Sequence, residues 1–276
     1  MSAEPAAVEI DEAAWQARRA RAQELRERHP FAAELLTLYL ALLPAGEDAW
    51  RAVRERAPDP AQLAAWAAAG VLPAVVRATA SAGPTALREA VRRRLAAGTA
   101  EDGLAGWLAG ADLAPVDRYL ARASLHPALE ALGERAGDAC TADEGATWAV
   151  CPRCGGPPQL SCVAATGESL VSGGRSLLCA RCGSSWACSR SVCPACGESG
   201  EERLTAYAEQ WGSDAPPLLP HLRIAACETC RRYLIEVDLE RDPRAVPEVD
   251  ELVALPLDLH ATDEGLAKVT PNLMGF

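Results

Sequence analysis

The chain has 276 residues, of which 49% are hydrophobic, and its formal net charge is −11. This length accommodates two or three folded units, and the apolar content is sufficient to give each of them a core. The acidic charge extends along the whole chain and leaves no basic tail, so we expect no nucleic-acid partner.

The first residues carry no export or membrane signal. Residues 1–15 are acidic and lack the basic and apolar regions of a signal peptide. The most lipid-like stretch, residues 31–43, is broken by Glu34 and stopped by Pro44, which favours a buried helix over a membrane span. We therefore expect a cytoplasmic protein without direct membrane insertion.

Residues 12–143 have the composition of a helical domain, with abundant Ala, Leu and Arg and few β-branched residues. Their apolar spacing predicts six or seven helices in a bundle. The helices fall near residues 15–29, 31–43, 47–55, 60–69, 84–97, 101–113 and 116–132. Trp50, Trp66 and Trp107 lie among the apolar positions of three helices, which indicates core packing. No regular repeat links the segments, so we expect one globular domain, residues 1–145.

Beyond residue 147, Cys, Gly and Ser become frequent, and the apolar runs shorten to strand length at residues 176–178, 222–225 and 233–237. A helical pattern returns from residue 248 to about residue 268, with a break at Pro256, and we expect the tail after it to pack back on the body. The predicted fold class is α+β multidomain: an N-terminal helical domain, two rubredoxin-like or zinc-ribbon metal modules and a C-terminal helix. The predicted boundaries are residues 146–190 for the first module, 191–241 for the second, and 242–276 for the C-terminal helix and tail.

The modules are defined by four CxxC sequences. A CxxC turn puts two thiolates on one side of a tight loop, so two turns complete a tetrahedral S4 site and four turns make two sites. In a reducing cytoplasm such spacings indicate metal ligands more than disulfides. The predicted metal ligands are Cys151, Cys154, Cys179, Cys182, Cys193, Cys196, Cys227 and Cys230.

Three of the four turns have Gly directly after the second Cys, where a positive φ lets backbone N–H groups turn toward the sulfurs. The fourth turn has Arg231 at this position, and we expect that turn to be wider or more strained.

Two pairings of the turns are open. Sequential pairing joins the first turn with the second and the third with the fourth, and it is favoured because consecutive elements tend to be neighbours in space. Interleaved pairing joins the first turn with the third and the second with the fourth. The metal is also open: zinc is the default in thiolate tetrahedra, and iron would add redox activity.

Three cysteines and one histidine remain. Cys140, Cys162 and Cys188 are predicted to be small buried hydrophobic residues. His221 precedes the fourth turn and is interpreted as a surface or packing residue, because each site already has four thiolates.

The sequence contains no HExxH, GxSxG or Walker-type motif. Two saturated S4 sites leave no open coordination position, so they are structural or electron-transferring and not hydrolytic. We therefore predict no catalytic residues, no cofactor-binding residues apart from the metal ligands, and no enzymatic activity. The alternatives are a rubredoxin-like redox protein with iron S4 sites and a zinc-ribbon nucleic-acid binder, which the slightly acidic modules disfavour.

Several segments resemble the formate dehydrogenase accessory proteins, the FdhE family. The most specific are CPRCGGPP, LLCARCGSSWACSRSVCPACG and CETCRRYLIEVDLERDP, with Trp186, Arg190, Tyr233 and Asp242-Pro243 at matching positions. Residues 18–39 and the segment LPLDLHATDEGLAKVTPN resemble the family less specifically, with matches at Asp258, Glu264, Gly265 and Asn272.

The resemblance implies a helical domain joined to two rubredoxin-like modules in a cytoplasmic accessory protein or maturation chaperone. It also implies the partner, which is the immature catalytic subunit of a molybdenum- or tungsten-dependent formate dehydrogenase, bound before export or assembly. Rubredoxin-like iron is associated with the family. The chain differs from the family in its Ala- and Arg-rich helical half and in Cys188, and a homodimer is left open.

Overall fold

A computed structural model describes residues 11–98, 100–141, 148–164, 174–209 and 216–275. The predicted boundary between residues 145 and 146 lies outside the described residues. In the described part of the first half, the helices are α1 (Glu12–Arg28), α2 (Ala33–Glu55), α3 (Leu63–Gly70), α4 (Leu72–Ala82), α5 (Thr85–Ala96), α6 (Glu101–Leu108) and α7 (Pro115–Leu132). The helical N-terminal region is confirmed.

Helix α2 continues through Pro44, where the sequence predicted that it would stop. The predicted helices at residues 31–43 and 47–55 are therefore one helix. A proline inside a helix costs about 3 kcal/mol, because it removes a hydrogen bond and clashes with the preceding turn. Leu42, Leu43 and Trp50 are buried on the turns before and after it. Burial of both flanks offsets the local cost, so packing overrides the helix-stop signal.

One further predicted helix was too long, and one helix was missed. Helix α6 ends at Leu108 and not near residue 113, because Gly110 has a φ of 75° and Ala111 N–H donates to the Gly106 carbonyl at 2.9 Å. A left-handed glycine with such a hydrogen bond closes a helix C-terminus. Helix α4 was not among the predicted segments, although it buries Leu72 and Val75.

The second half contains one mixed sheet. Its strands are β1 (Pro158–Val163), β2 (Arg175–Cys179), β3 (Ser185–Ala187), β4 (Leu204–Ala208), β5 (Leu222–Cys227), β6 (Arg232–Asp238) and β7 (Ala267–Lys268). The order is β3-β2-β1-β6-β5-β4, with β7 also beside β6. The strands predicted at residues 176–178, 222–225 and 233–237 lie within β2, β5 and β6 and are confirmed.

The two halves of this sheet repeat one topology. In each half a CxxC turn precedes two antiparallel strands, and a second CxxC turn leads into a third strand. The middle strands β2 and β5 end at the first cysteines of those second turns, Cys179 and Cys227. The halves join where β1 runs parallel to β6, with Cys162 opposite Val237. Both pairs of CxxC turns are therefore held by one continuous sheet.

The C-terminal segment forms two short helices, α8 (Pro247–Asp250) and α9 (Leu255–Asp263). Pro256 lies in the first turn of α9, where proline is favoured, so it helps to begin this helix. The helical pattern predicted to run to about residue 268 stops at Asp263, and Gly265 follows with a φ of 71°. The tail residues Leu273 and Met274 pack against both large apolar cores, as predicted for the tail.

Two large apolar cores hold these elements together. The first lies among α2 to α7 and includes the four cysteines of the first two turns, with Trp66 and Trp107 packed at its edge. The second joins α1 and α2 to the sheet and the C-terminal helices, and Trp15 and Trp50 are among its buried residues. The core packing predicted for Trp50, Trp66 and Trp107 is confirmed. The sheet is thereby fixed against the helices on a buried apolar surface.

Candidate metal centres

The first four-cysteine cluster, site 1, consists of Cys151, Cys154, Cys179 and Cys182, all buried. Cys151 Sγ lies 3.8 Å from Cys182 Sγ, and Cys154 Sγ lies 3.4 Å from Cys179 Sγ. With zinc–sulfur bonds of about 2.3 Å, the sulfurs of a regular tetrahedron are about 3.8 Å apart. Site 1 therefore has the donor set and the spacing of a closed thiolate metal site.

The second cluster, site 2, consists of Cys193, Cys196, Cys227 and Cys230. Cys193 Sγ lies 3.9 Å from Cys230 Sγ, and Cys196 Sγ lies 3.8 Å from Cys227 Sγ. The first turn thus meets the second and the third meets the fourth, which confirms sequential pairing. In contrast to site 1, Cys196 is exposed and Cys230 is half-buried.

All four CxxC turns have the same backbone geometry. The residue after the second cysteine has a positive φ in each turn: 68° at Gly155, 70° at Gly183, 80° at Gly197 and 55° at Arg231. The N–H of that residue donates to the carbonyl of the first cysteine over 2.8 to 3.2 Å. A non-glycine residue in this conformation costs about 1–2 kcal/mol. The fourth turn is therefore strained, as expected, but it is not wider.

Backbone N–H groups also approach the sulfurs. The N atoms of Arg181 and Cys182 lie 3.3 and 3.5 Å from Cys179 Sγ. Cys193 and Cys227 receive the same two backbone hydrogen bonds, from the residues two and three positions later. Burial raises the pKa of the Cys179 and Cys193 thiols, so thiolates at these positions need a nearby cation. A divalent metal supplies that charge, and the residues present fit one in each site.

Site 1 is packed against helix α7. A Cβ atom at Gly183 would lie 3.0 Å from Glu130 Oε1 and 3.3 Å from His126 Nε2, so a larger residue would disturb this contact. The four cysteines share their apolar core with Leu125 and Leu129 of α7. Site 1 therefore joins the sheet to the helical bundle.

Site 2 has a smaller apolar environment. Cys193 and Cys227 belong to a cluster with Ala195, against which Leu204 and Val269 pack. This cluster lies within the second half of the sheet and the C-terminal tail, and it includes no helical residue of the first half. Among the described residues, site 2 is thus separate from the two large cores.

Trp148 covers one turn of site 2. A Cβ atom at Gly197 would lie only 2.7 Å from Trp148 Cδ1, which shows that the indole rests on this turn. The backbone N–H of Trp148 donates to the Ala195 carbonyl at 3.0 Å. The opposite side of the indole faces solvent, and 59% of the residue is exposed.

The three remaining cysteines lie outside both sets of four. Cys162 is buried in the second core, as predicted, and burial raises its pKa to about 12. Cys188 is only half-buried, and its Sγ lies 3.1 Å from Nη2 of Arg175. Cys140 is also half-buried, and a hydrogen bond with Cys154 lowers its pKa. The predicted burial therefore holds for Cys162, whereas Cys140 and Cys188 pack against the edges of apolar clusters and are only partly buried.

His221 does not approach site 2 and is not a surface residue. It is buried, and its Nε2 lies 2.7 Å from Asp250 Oδ1. Asp242 completes a group of potential metal ligands here. The guanidinium of Arg21 lies between these carboxylates, since it donates to Asp250 at 3.0 Å and to Asp242 at 2.7 Å. A guanidinium in place of a metal makes the group a buried ion-pair network.

A second network has the same design. His126, Glu130 and Glu248 are close enough to hold a metal, but Arg18 pairs with both carboxylates. Burial opposes ionisation of Glu248, and Arg18 nevertheless holds its pKa below the usual value. Both networks join helix α1 to the C-terminal segment. Their acidic, basic and histidine residues lie far apart in the sequence, so no motif could have predicted either network.

Several positions of the C-terminal segment have clear structural roles. Tyr233 OH donates to Asp258 Oδ1 at 2.8 Å, and Lys268 pairs with the same carboxylate at 3.1 Å. Asn272 Oδ1 accepts from Met274 N at 2.9 Å and so shapes the tail. These contacts fix α9 and the tail beside β6.

Taken singly, none of the described helices is both long enough and apolar enough to span a bilayer. The helix pair Pro60–Gly70 and Leu72–Ala82, bent by 41°, is long and apolar enough when its two members are taken together.

Comparison with known families finds a match in the second half of the chain. Residues 192–274 match the family model described as FdhE, C-terminal domain. The chain is 31% identical over 126 residues to the Protein FdhE homolog of Aquifex aeolicus. The aligned segment covers 46% of this chain and 41% of the relative. It is 36% identical over 126 residues to the Protein FdhE homolog of Pseudomonas putida, covering 46% and 38%. The matched segment is thus less than half the length of these curated relatives.

A solved structure matches over nearly the whole chain. The crystal structure of the FdhE protein from Pseudomonas aeruginosa aligns with a TM-score of 0.67 and covers 98% of both chains. The sequence identity is 22%, so this likeness shows a shared fold. The resemblance to FdhE proteins that the cysteine-rich segments indicated is confirmed.

Proposed function

We propose that the chain is a member of the FdhE family and an accessory protein for formate dehydrogenase, because its second half matches the FdhE C-terminal domain and its fold is that of an FdhE protein. In this role it binds the immature catalytic subunit in the cytoplasm, before export or assembly, and it is not itself an enzyme. The observation that carries the proposal is the match of residues 192–274 to the FdhE C-terminal domain. The fold shared over 98% of the chain supports it.

Each site, in this proposal, holds one metal ion, zinc or iron. The ligands are Cys151, Cys154, Cys179 and Cys182 at site 1, and Cys193, Cys196, Cys227 and Cys230 at site 2. A closed thiolate shell supplies a structural cross-link and, with iron, a one-electron couple. Four thiolates per site leave no position for water or substrate, which supports a structural function and not hydrolysis.

The partner surface in this proposal surrounds site 2. Trp148 is an exposed apolar residue that rests on the third CxxC turn, and Val150, two residues later in the chain, is also exposed. Exposed tryptophans are typical anchors of protein interfaces, because they bury a large area when a partner docks. The turn supports Trp148 from below and accepts a hydrogen bond from its backbone. The metal-bound turn would therefore hold the anchor in a fixed position.

A pull-down on immobilised catalytic subunit tests this surface. We expect Trp148→Ala to weaken capture by about tenfold, as loss of an interface anchor does. Cys193→Ala/Cys196→Ala should weaken it at least as much, because the supporting turn loses its metal. The matched controls are Leu259→Ala, which removes another exposed apolar side chain on α9, and Cys188→Ala, which removes a cysteine outside both sites. Equal capture by all variants would contradict the proposed surface.

The accessory function itself is tested in cells. In a strain that lacks its own accessory protein, the chain should restore formate dehydrogenase activity, and Cys193→Ala/Cys196→Ala should not. No restoration by the wild-type chain, with its expression and metal content verified, would refute the proposed function.

A redox function is the second candidate, and the exposure of Cys196 supports it. A thiolate ligand at the surface shortens the path to an electron donor or acceptor. Metal analysis and voltammetry of anaerobically purified protein distinguish the two functions. One iron or more with a reversible one-electron couple supports the redox function, and a colourless zinc protein without a couple excludes it.

A further inference from the structure

Helices α4 and α5 form a groove at the surface of the helical bundle. The groove has a volume of about 370 Å³. Val76 and Ala80 line it from α4, and Arg88, Arg92 and Leu95 line it from α5. Residues three or four positions apart share one face of a helix, so each helix contributes one face to the groove. None of the candidate metal ligands belongs to this lining, so the groove lies outside the surface proposed at site 2.

The bottom of the groove is apolar. Val91 is buried in the lining, and Val76 and Leu95 are half-buried. Thr79 adds a hydroxyl, but this hydroxyl is already bonded to a backbone carbonyl of its own helix at 2.8 Å and to Tyr119 OH. A polar group of a ligand would lose its hydrogen bonds with water and gain few here. The bottom therefore favours apolar side chains.

The backbone around the groove is already hydrogen-bonded. The lining comes from α4 (Leu72–Ala82) and α5 (Thr85–Ala96), and inside a helix each N–H bonds to the carbonyl four residues earlier. The described lining contains no strand, so a partner segment cannot bind here by adding a strand to a sheet edge. The remaining way to bind a peptide is through side chains, as when an amphipathic helix places its apolar face in a groove.

The charge of α4 and α5 is opposite in sign to that of the whole protein. Residues 72–96 contain five arginines and one acidic residue, Glu89, which gives a formal charge of +4 in a chain of net charge −11. Arg94 lies 2.5 Å from Asp117, and Arg93 lies 3.7 Å from Glu89. These pairs account for two of the five arginines.

The other three arginines are Arg77, Arg88 and Arg92, and all are exposed. In the described part of the chain, Arg77 and Arg92 form no ion pair, and Arg88 donates only to the Thr85 hydroxyl, at 2.9 Å. Arg88 and Arg92 lie one turn apart on the face of α5 that lines the groove, and like charges at this spacing destabilise a helix. Acidic side chains of a docked segment would remove this repulsion.

We propose that the groove between α4 and α5 binds an amphipathic helix of a partner protein, with apolar residues on one face and Asp or Glu beside them. The apolar face fills the groove, and the carboxylates pair with Arg88 and Arg92 at its edge. Arginine forms two parallel hydrogen bonds with a carboxylate, which fixes the position of the docked helix. This site is separate from the surface at site 2, so its test does not depend on the proposed function.

Two other occupants fit these observations less well. A lipid surface binds amphipathic helices through protruding apolar side chains, and none of the large apolar residues exposed in the described chain lies on α4 or α5. A second copy of this chain would bring an equal positive charge if the same faces met, as they do in a two-fold dimer. Both occupants are outcomes of the test.

Fluorescence anisotropy with the full-length, metal-loaded protein tests the site. The probe is a labelled peptide of about five helical turns, with Leu at helical spacing and Glu beside it. A second peptide has Lys in place of each Glu. We expect saturable binding of the Glu peptide that weakens with salt, and no binding of the Lys peptide. Arg88→Gln/Arg92→Gln should weaken binding by at least about fivefold. Ala80→Glu, at an exposed position of the lining, should weaken it by about tenfold, because it fills the groove and repels the peptide.

Matched variants separate the groove from general charge and from misfolding. Arg51→Gln/Arg56→Gln removes two exposed arginines outside the groove and should leave the affinity within about twofold of wild type. Circular dichroism and metal content verify the fold of each variant. Absence of saturable binding, equal effects of the groove and control variants, or equal binding of the two peptides would overturn the proposal. Binding of phosphatidylglycerol vesicles in place of the peptide, or self-association of the wild-type protein that Ala80→Glu abolishes, would also overturn it.

Discussion

Sites 1 and 2 have the same ligands and the same turn geometry but different surroundings. The sulfurs of site 1 are buried within the core of the helical bundle, whereas site 2 exposes Cys196 and contacts only a small apolar cluster. Two copies of one local structure therefore have different roles in the molecule. The turn determines how a metal would be coordinated. The packing around the turn determines how much of the fold loses stability when that metal is removed.

This difference predicts two levels of stability. Opening site 1 disrupts the core that includes Leu125 and Leu129, so it requires global unfolding. Opening site 2 exposes little apolar surface and can occur locally. Four experiments test or sharpen this contrast.

The largest effect is expected for Cys179→Ser/Cys182→Ser at site 1. Removal of two ligands releases the metal and leaves buried polar groups in the main core, which should reduce the free energy of unfolding by about 4 kcal/mol or more. Urea unfolding followed by tryptophan fluorescence and circular dichroism measures the change. A variant that keeps wild-type helicity and stability would show that site 1 does not support the bundle.

Metal removal should distinguish the sites by rate. A chelator added to the protein with both sites loaded should extract one equivalent at least about tenfold faster than the second, because local opening is more frequent than global unfolding. Chromogenic detection of released metal gives both rates. The fast phase should disappear in Cys193→Ser/Cys196→Ser. A single rate for both metals in the wild-type protein would contradict the predicted difference between the two sites.

The same Cys193→Ser/Cys196→Ser variant should have a moderate effect on stability. Its cysteines contact a separate cluster, so we expect a loss of about 1–3 kcal/mol with helical circular dichroism retained. Equilibrium unfolding at matched protein concentration measures this. Global unfolding of the variant would mean that site 2 also supports the bundle.

The smallest effect concerns strain in the fourth turn. Arg231 has a φ of 55° where the other three turns have glycine. Arg231→Gly and Arg231→Ala both remove the side-chain contacts with Glu228 and Glu264, but only glycine relieves the left-handed strain. We expect the Gly variant to be about 1 kcal/mol more stable than the Ala variant, measured by denaturant unfolding. Equal stability would show that the turn relaxes without glycine.

The candidate metal ligands could be predicted because their signal is local. A CxxC spacing with Gly155, Gly183 or Gly197 after it specifies a tight turn with inward sulfurs in any context. Strands β2, β5 and β6 were also predicted, since each contains an apolar run of strand length. The continuation of α2 through Pro44 was not, because burial of distant surfaces decides whether a proline ends a helix.

Other features have no local signal. His221 precedes the fourth turn in sequence but binds Asp250 in a buried network with Arg21. Cys140 contacts Cys154 although no motif links them. Such contacts join elements far apart in the chain, and spacing carries no information about them.

The eight candidate ligands, the four CxxC turns and the helical character of the first half could be read from the sequence alone, because each follows from short-range backbone geometry and apolar periodicity. Tertiary packing sets three further properties: the turns pair in sequence, one sheet carries both sites, and site 1 is fully buried whereas site 2 exposes Cys196. These properties depend on which surfaces pack together, and those surfaces are formed by residues far apart along the chain.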